Sequence, residues 1–189
     1  NLAVIEAQAA GEKLIFFRLL YPTGEVFASS HMSYWKDVTV DQHLLDLLVK
    51  KNQALKTWNL LKSHGFLPEI ALDKRQAEKY IQVEDNISFQ FKENNLTVEL
   101  HWEMSGYYLS DPLSFEDLET RAGNIEIHNQ YFLNLSSEDL LLYLCVHGAK
   151  HGWEYLEQVC CIAEVLKQKQ LDWDLIEALS LNWKCANIL

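Results

Sequence analysis

The stretch that decides the fold runs from Leu135 to Leu179 and reads LSSEDLLLYLCVHGAKHGWEYLEQVCCIAEVLKQKQLDWDLIEAL. Ser136 predicts a helix N-cap, and Asp139, three residues later, is a weaker capping-box partner. His147 and His151 lie one turn apart, so they share a face of the predicted helix. A second helical pattern follows, and the whole stretch predicts a C-terminal helical region over residues 135–189.

The rest of the chain mixes helical periodicity with the alternation that is typical of strands. The predicted elements are helices over Leu2–Ala10, Val40–His64 and Arg75–Tyr80, strands over Lys13–Leu20, Ser33–Val40 and Asn124–Leu133, and a hairpin over Ile87–Trp102. This order indicates an α+β fold with a mixed β-sheet flanked by helices. We predict a core over residues 1–134, with residues 135–189 packed on it as part of a single structural unit.

Charge and composition restrict the partners. The chain of 189 residues carries a net charge of −11, so a nucleic acid polymer is not expected to bind it, whereas a free nucleotide with Mg²⁺ is compatible. No apolar run approaches the roughly 20 residues of a membrane span, so no membrane partner is predicted. The four cysteines form no CxxC pattern, which fits a reducing, cytoplasmic location.

Three segments carry a family resemblance: LLKSHGF at Leu60 to Phe66, VELHW at Val98 to Trp102, and VHGAKHGW at Val146 to Trp153. By their order and spacing, the chain resembles the uncharacterised nucleotidyltransferases, a family of the polymerase-beta-like superfamily. The resemblance implies a nucleotidyltransferase-like fold that transfers a nucleotidyl group from a nucleoside triphosphate to a hydroxyl of a small molecule or a protein. It also implies an Asp-x-Asp pair and a third carboxylate that hold two Mg²⁺ ions.

Carried onto this sequence, the resemblance places the Asp-x-Asp positions at His31 and Ser33, which cannot replace bridging carboxylates. The third acid is retained as Glu99, the one catalytic acid that the resemblance assigns. We therefore predict impaired or lost Mg²⁺-dependent catalysis, with Mg²⁺ as the cofactor only if the protein is active. The residues predicted to line the cleft or to bind substrate are His31, Ser33 and the family-signature residues His101, His147, His151 and Trp153. For the four signature residues, bracing the cleft is the alternative role.

Two other functional interpretations of the same sequence stay open. A non-catalytic domain that binds a peptide or a protein would keep the fold without the chemistry. A zinc-dependent hydrolase would use His147 and His151, with Cys145 or His101 as a further ligand, although the Glu of an HExxH motif is missing. Packing between secondary-structure elements is the alternative role for the two helical histidines.

Overall fold

The computed structural model describes residues 14–20, 43–92, 96–104, 114–127, 130–154, 156–168 and 170–189. The chain divides into two compact units, one of Asn1–Trp102 with Asn124–Asn134, the other of Glu103–Gly123 with Leu135–Leu189. The predicted boundary at residue 134 stays a prediction. No helix in the described ranges combines the length and the apolar character that crossing a bilayer requires.

The first unit is built on a mixed sheet. Its described strands are β1 Leu14–Leu20, β2 His43–Val49, β3 Leu67–Pro68, β4 Asn86–Phe91, β5 Leu96–His101, β6 Gly123–Ile127 and β7 Gln130–Asn134. They have the order β3-β4-β5-β2-β1-β7-β6 in the sheet. β2 is parallel to β5 and antiparallel to β1, while β4 and β5 form an antiparallel hairpin. The predicted α+β class, with a mixed sheet and helices, is confirmed.

Helices occur in both units. Among the described residues, a short 3-10 turn over Lys51–Gln53 precedes the first of them. The helices are α1 Ala54–Ser63, α2 Lys74–Val83, α3 Phe115–Arg121, α4 Ser137–Lys150, α5 Leu156–Gln168 and α6 Trp173–Asn182. The hairpin, the strand at Lys13–Leu20 and the Ser136 cap of α4 agree with the sequence prediction. The predicted elements at Leu2–Ala10 and Ser33–Val40 lie outside the described residues.

The prediction of one helix over Val40–His64 is wrong in its first half. Residues His43–Val49 form a strand, and the α-helix begins only at Ala54. The strand has hydrogen-bonded neighbours on both sides, and Leu45, Leu47, Leu48 and Val49 are all buried. A strand that is covered on both faces needs no polar alternation, so its continuous apolar run also matches a helical pattern.

The core of the first unit forms where α1 and α2 contact the apolar side chains of the hairpin. Trp58 of α1 is 1% exposed and meets Phe89 edge to face, with ring centroids 5.5 Å apart. Tyr80 of α2 contacts Trp58 in the same manner at 6.1 Å. Such offset aromatic pairs add stability beyond the apolar area they bury, so they hold the hairpin and both helices in place.

The strand Asn124–Leu133 was predicted as one element, and the structure divides it. Gly123–Ile127 and Gln130–Asn134 are separate strands, β6 and β7, of the same sheet. β7 runs parallel to β1, with Ile15 opposite Leu133.

Candidate functional site

The candidate site lies on the two adjacent parallel strands β2 and β5 of the first unit. Asp46 of β2 is the register partner of Glu99 on β5, and Leu48 is the partner of His101. Because side chains two residues apart point to the same face of a strand, Glu99 and His101 share one face of β5. The pairing therefore brings two carboxylates and one imidazole together on a rigid part of the sheet.

The side chains of the site converge on a small volume. Nε2 of His101 lies 3.4 Å from Oε2 of Glu99 and 3.8 Å from Oδ1 of Asp46. Asp46 is 1% exposed and His101 7%, whereas the Glu99 side chain keeps 31% of its surface accessible. Two carboxylates in such a setting repel each other, so a cation between them is required to keep both ionised.

His101 can supply that positive charge. Burial alone would lower the pKa of its imidazole, but the neighbouring carboxylates of Asp46 and Glu99 outweigh the burial and raise the pKa from 6.5 to about 9. At neutral pH the imidazole is therefore protonated and compensates part of the charge of the two acids. A metal ion at the same place would perform the same electrostatic task.

Asp46, Glu99 and His101 are also the group that could hold a metal ion. One ligand atom from each residue lies within 4.8 Å of the others, and within the described ranges no other set of three histidine, cysteine or acidic residues meets this condition. Position 44, two residues before Asp46, is a leucine, and so is position 48. Asp46 is therefore not part of an Asp-x-Asp pair.

Asp46 is the site residue that the sequence prediction missed. The predicted helix over Val40–His64 includes it, and the resemblance assigns the acid pair to His31 and Ser33, which lie outside the described residues. The signal was present in LLDLLV at Leu44 to Val49, where one acid interrupts an otherwise apolar run. An acid in a fully buried strand is retained only when it has a partner or a ligand.

The predicted residues His147, His151 and Trp153 belong to the second unit. The imidazole rings of His147 and His151 are 4.6 Å apart, and Nδ1 of His147 lies 3.4 Å from the hydroxyl of Tyr143. No third ligand joins the two histidines in the part of the chain that the structure describes. The zinc-hydrolase hypothesis therefore gains no support from these residues, and their predicted role in the cleft stays a prediction.

The C-terminal end of α4 has an unusual backbone. Gly152 and Trp153 both have positive φ angles, 61° and 57°, and the chain turns back so that the Trp153 backbone N–H donates to the carbonyl of Gly148. A positive φ is uncommon in a residue other than glycine, so neighbouring contacts must hold Trp153 there. Its indole lies so close to Gly148 that a Cβ at that position would be 2.3 Å from the ring.

The start of α4 is fixed by a buried ion pair in the same unit. Asp139 is fully buried, and both of its carboxylate oxygens accept hydrogen bonds from Arg121 at the end of α3, at 2.8 and 2.9 Å. The Ser136 hydroxyl donates to the same carboxylate and accepts from the backbone N–H of Asp139. Asp139, predicted as a capping partner, thus links two helices.

Comparisons with known proteins identify the family and the fold of the chain. A family model described as uncharacterised nucleotidyltransferase matches residues 45–189. The chain belongs to this family. The match covers most of the chain, so the predicted family resemblance is confirmed. The matched range begins within β2 and includes Asp46, Glu99 and His101. No curated protein matches the sequence.

Solved structures show the same fold at low sequence identity. The solution structure of the antibiotic-resistance factor ANT(2'')-Ia is similar with a TM-score of 0.58 and 8% identity, over 96% of this chain and 87% of that one. For ANT(2'')-Ia in complex with adenylyl-2''-tobramycin, the TM-score is 0.54 and the identity 10%, over 96% of this chain and 92% of that one. For the lincomycin-bound lincosamide antibiotic adenylyltransferase LnuA, the TM-score is 0.52 and the identity 10%, over 88% of this chain and 93% of that one. These likenesses establish the nucleotidyltransferase fold.

Proposed function

We propose that this nucleotidyltransferase binds a nucleoside triphosphate beside Asp46 and Glu99, and that its Mg²⁺-dependent transfer of a nucleotidyl group is impaired or lost. In the complete reaction, an acceptor hydroxyl oxygen forms a bond to the α-phosphorus, the bond from that phosphorus to pyrophosphate breaks, and the hydroxyl proton is released to solvent. The acceptor would be a small molecule or a protein. The one observation that carries the proposal is the composition of the Asp46–Glu99–His101 site.

The donor atoms of this site are a poor match to a pair of Mg²⁺ ions. Mg²⁺ favours octahedral oxygen ligands, and two such ions require several carboxylates to offset their charge. Here, Asp46 and Glu99 are two acids, position 44 is a leucine, and His101 adds a nitrogen and a positive charge. The described residues thus supply too little negative charge for the two-ion arrangement.

The similar solved proteins support a small-molecule acceptor and an adenylyl donor. LnuA is a lincosamide antibiotic adenylyltransferase, and the ANT(2'')-Ia complex contains adenylyl-2''-tobramycin. At 8–10% identity, this support comes from the fold, and the acceptor of the present chain has to be found by screening. ATP is the nucleotide to test first.

A peptide- or protein-binding domain is the second candidate function. The observation that favours it is a set of large apolar side chains that are exposed on α5 and α6 of the second unit. These are Leu156, Val159, Leu166, Trp173 and Leu181. Large apolar side chains that are exposed to solvent are typical of surfaces that contact other proteins.

Pyrophosphate release tests the catalytic part of the proposal. With ATP, Mg²⁺ and a panel of hydroxyl-bearing small molecules, we expect the protein to release no more pyrophosphate than its Asp46→Asn/Glu99→Gln double variant. The reason is that the acids present cannot hold both ions. Mg²⁺-dependent release that exceeds the double variant by about 100-fold, roughly 3 kcal/mol of transition-state stabilisation, would show an intact catalyst instead.

A further inference from the structure

The ligand atoms of the site have the spacing of a coordination sphere. The separations of 3.4 Å and 3.8 Å from Nε2 of His101 to the two carboxylate oxygens exceed an ordinary hydrogen bond of about 2.9 Å. Three ligands at about 2.0–2.1 Å from a tetrahedral metal ion are about 3.3 Å from one another. The two separations from His101 are thus close to the spacing of a coordination sphere, and the ligand atoms of all three residues lie within 4.8 Å of one another.

The chemical identity of the ligands selects among cations. An imidazole nitrogen suits Zn²⁺ and other borderline transition metals, whereas Mg²⁺ favours oxygen ligands. One imidazole and two carboxylates equal the number of protein ligands in catalytic zinc sites, which leave a fourth position for water or substrate. The Glu99 side chain is partly exposed, so water or substrate can reach this fourth position from solvent.

The rigidity of the sheet supports the same conclusion. Asp46 and Glu99 are paired through the parallel ladder of β2 and β5, and the antiparallel β4 pairs with the other edge of β5. Asn86 of β4 is the register partner of His101 and Ser88 that of Glu99, so both ligands stand on a central strand. Ligands on rigid strands bind an ion without the entropic cost of ordering a loop.

We infer that Asp46, Glu99 and His101 bind a single transition-metal ion, with Zn²⁺ preferred to Mg²⁺. The ion takes the place of the proton on the His101 imidazole, which is released to solvent, because a ligating ring nitrogen must be unprotonated. The inference deepens the proposed function, because it rests on the same two acids and replaces the family's pair of Mg²⁺ ions by one ion of another class. Binding of that ion to the nucleotide-free protein is what the inference requires.

The test is calorimetric titration of the whole chain with ZnCl₂, MnCl₂ and MgCl₂ in the absence of nucleotide. We expect one Zn²⁺ per chain, with an affinity at least about 100-fold above that for Mg²⁺ and with Mn²⁺ between the two. His101→Asn should lower the affinity for Zn²⁺ by at least about 10-fold. Far-UV circular dichroism verifies that each variant is folded. If His101→Asn does not fold, Glu99→Gln takes its place, because that side chain is partly exposed and should show the same loss.

Two histidine variants serve as controls. His64→Asn, at the end of α1, should leave Zn²⁺ binding unchanged. His151→Asn tests whether the histidine pair on α4 binds Zn²⁺ instead. Loss of Zn²⁺ binding in this variant but not in His101→Asn would overturn the inference. Equal affinity for Mg²⁺ and Zn²⁺, or no binding of Zn²⁺, would overturn it as well. Because nucleotide is absent, none of these outcomes decides whether the protein binds ATP.

Discussion

Replacing Arg121 by alanine is expected to lower the free energy of unfolding by about 3 to 5 kcal/mol. Asp139 is fully buried, and Arg121 donates to both of its oxygens. Removal of the guanidinium leaves a buried carboxylate that keeps, among the described side chains, the hydrogen bond from the Ser136 hydroxyl. Urea denaturation followed by circular dichroism measures the effect.

Two further variants show whether this loss comes from the ion pair. Arg121→Lys keeps the charge but loses the bidentate hydrogen bonding to the carboxylate, so we expect an intermediate loss of stability. Arg75→Ala, at the exposed start of α2, should change the free energy of unfolding by less than about 0.5 kcal/mol. If Arg121→Ala is as stable as Arg75→Ala, Asp139 does not depend on Arg121.

Replacing Gly148 by alanine is expected to destabilise the protein by about 1 to 3 kcal/mol, although alanine is the better helix former. The new Cβ would lie 2.3, 2.5 and 2.7 Å from three atoms of the Trp153 ring, closer than real contacts allow. The indole must leave its place on α4, and its packing against the helix is lost. A shift in the tryptophan fluorescence of the folded protein should accompany the loss of stability.

The controls for Gly148 use a second glycine and a double variant. Gly123→Ala should be close to neutral, because nothing lies within 4 Å of a Cβ at that position. When Trp153→Ala is already present, Gly148→Ala should cost little or even stabilise, since the ring it would strike is gone. Equal effects of Gly148→Ala with and without Trp153 would contradict the contact.

The hairpin and the helix caps could be predicted from the sequence because each is decided by neighbouring residues. Ile87 and Phe89 are buried, as the alternation in β4 requires, and Gly65 has the positive φ of 85° expected of a left-handed cap. Ser136 caps α4 through a local hydrogen bond to the backbone N–H of Asp139. In these cases, the local pattern and the tertiary structure favour the same conformation.

The candidate site was only half predictable for a physical reason. Glu99 and His101 are two residues apart on a strand with clear alternation, so the sequence could place them on one face. Asp46 joins them only because β2 pairs with β5, and this pairing connects residues that are far apart in the chain. Local periodicity carries no information about such a pairing, and the leucines around Asp46 fit a helix equally well.

Calorimetric titration of ATP with and without Mg²⁺ tests the proposed nucleotide site most directly. We expect ATP to bind the wild-type protein, with an affinity that changes at least about 10-fold in Glu99→Gln, about 1.4 kcal/mol of binding free energy. Glu78→Gln, an equal change of charge at an exposed position of α2, should bind ATP as the wild type does. Binding that is the same in all three proteins would place the nucleotide elsewhere. No binding at all would contradict the account and leave the protein-interaction domain as the function to pursue.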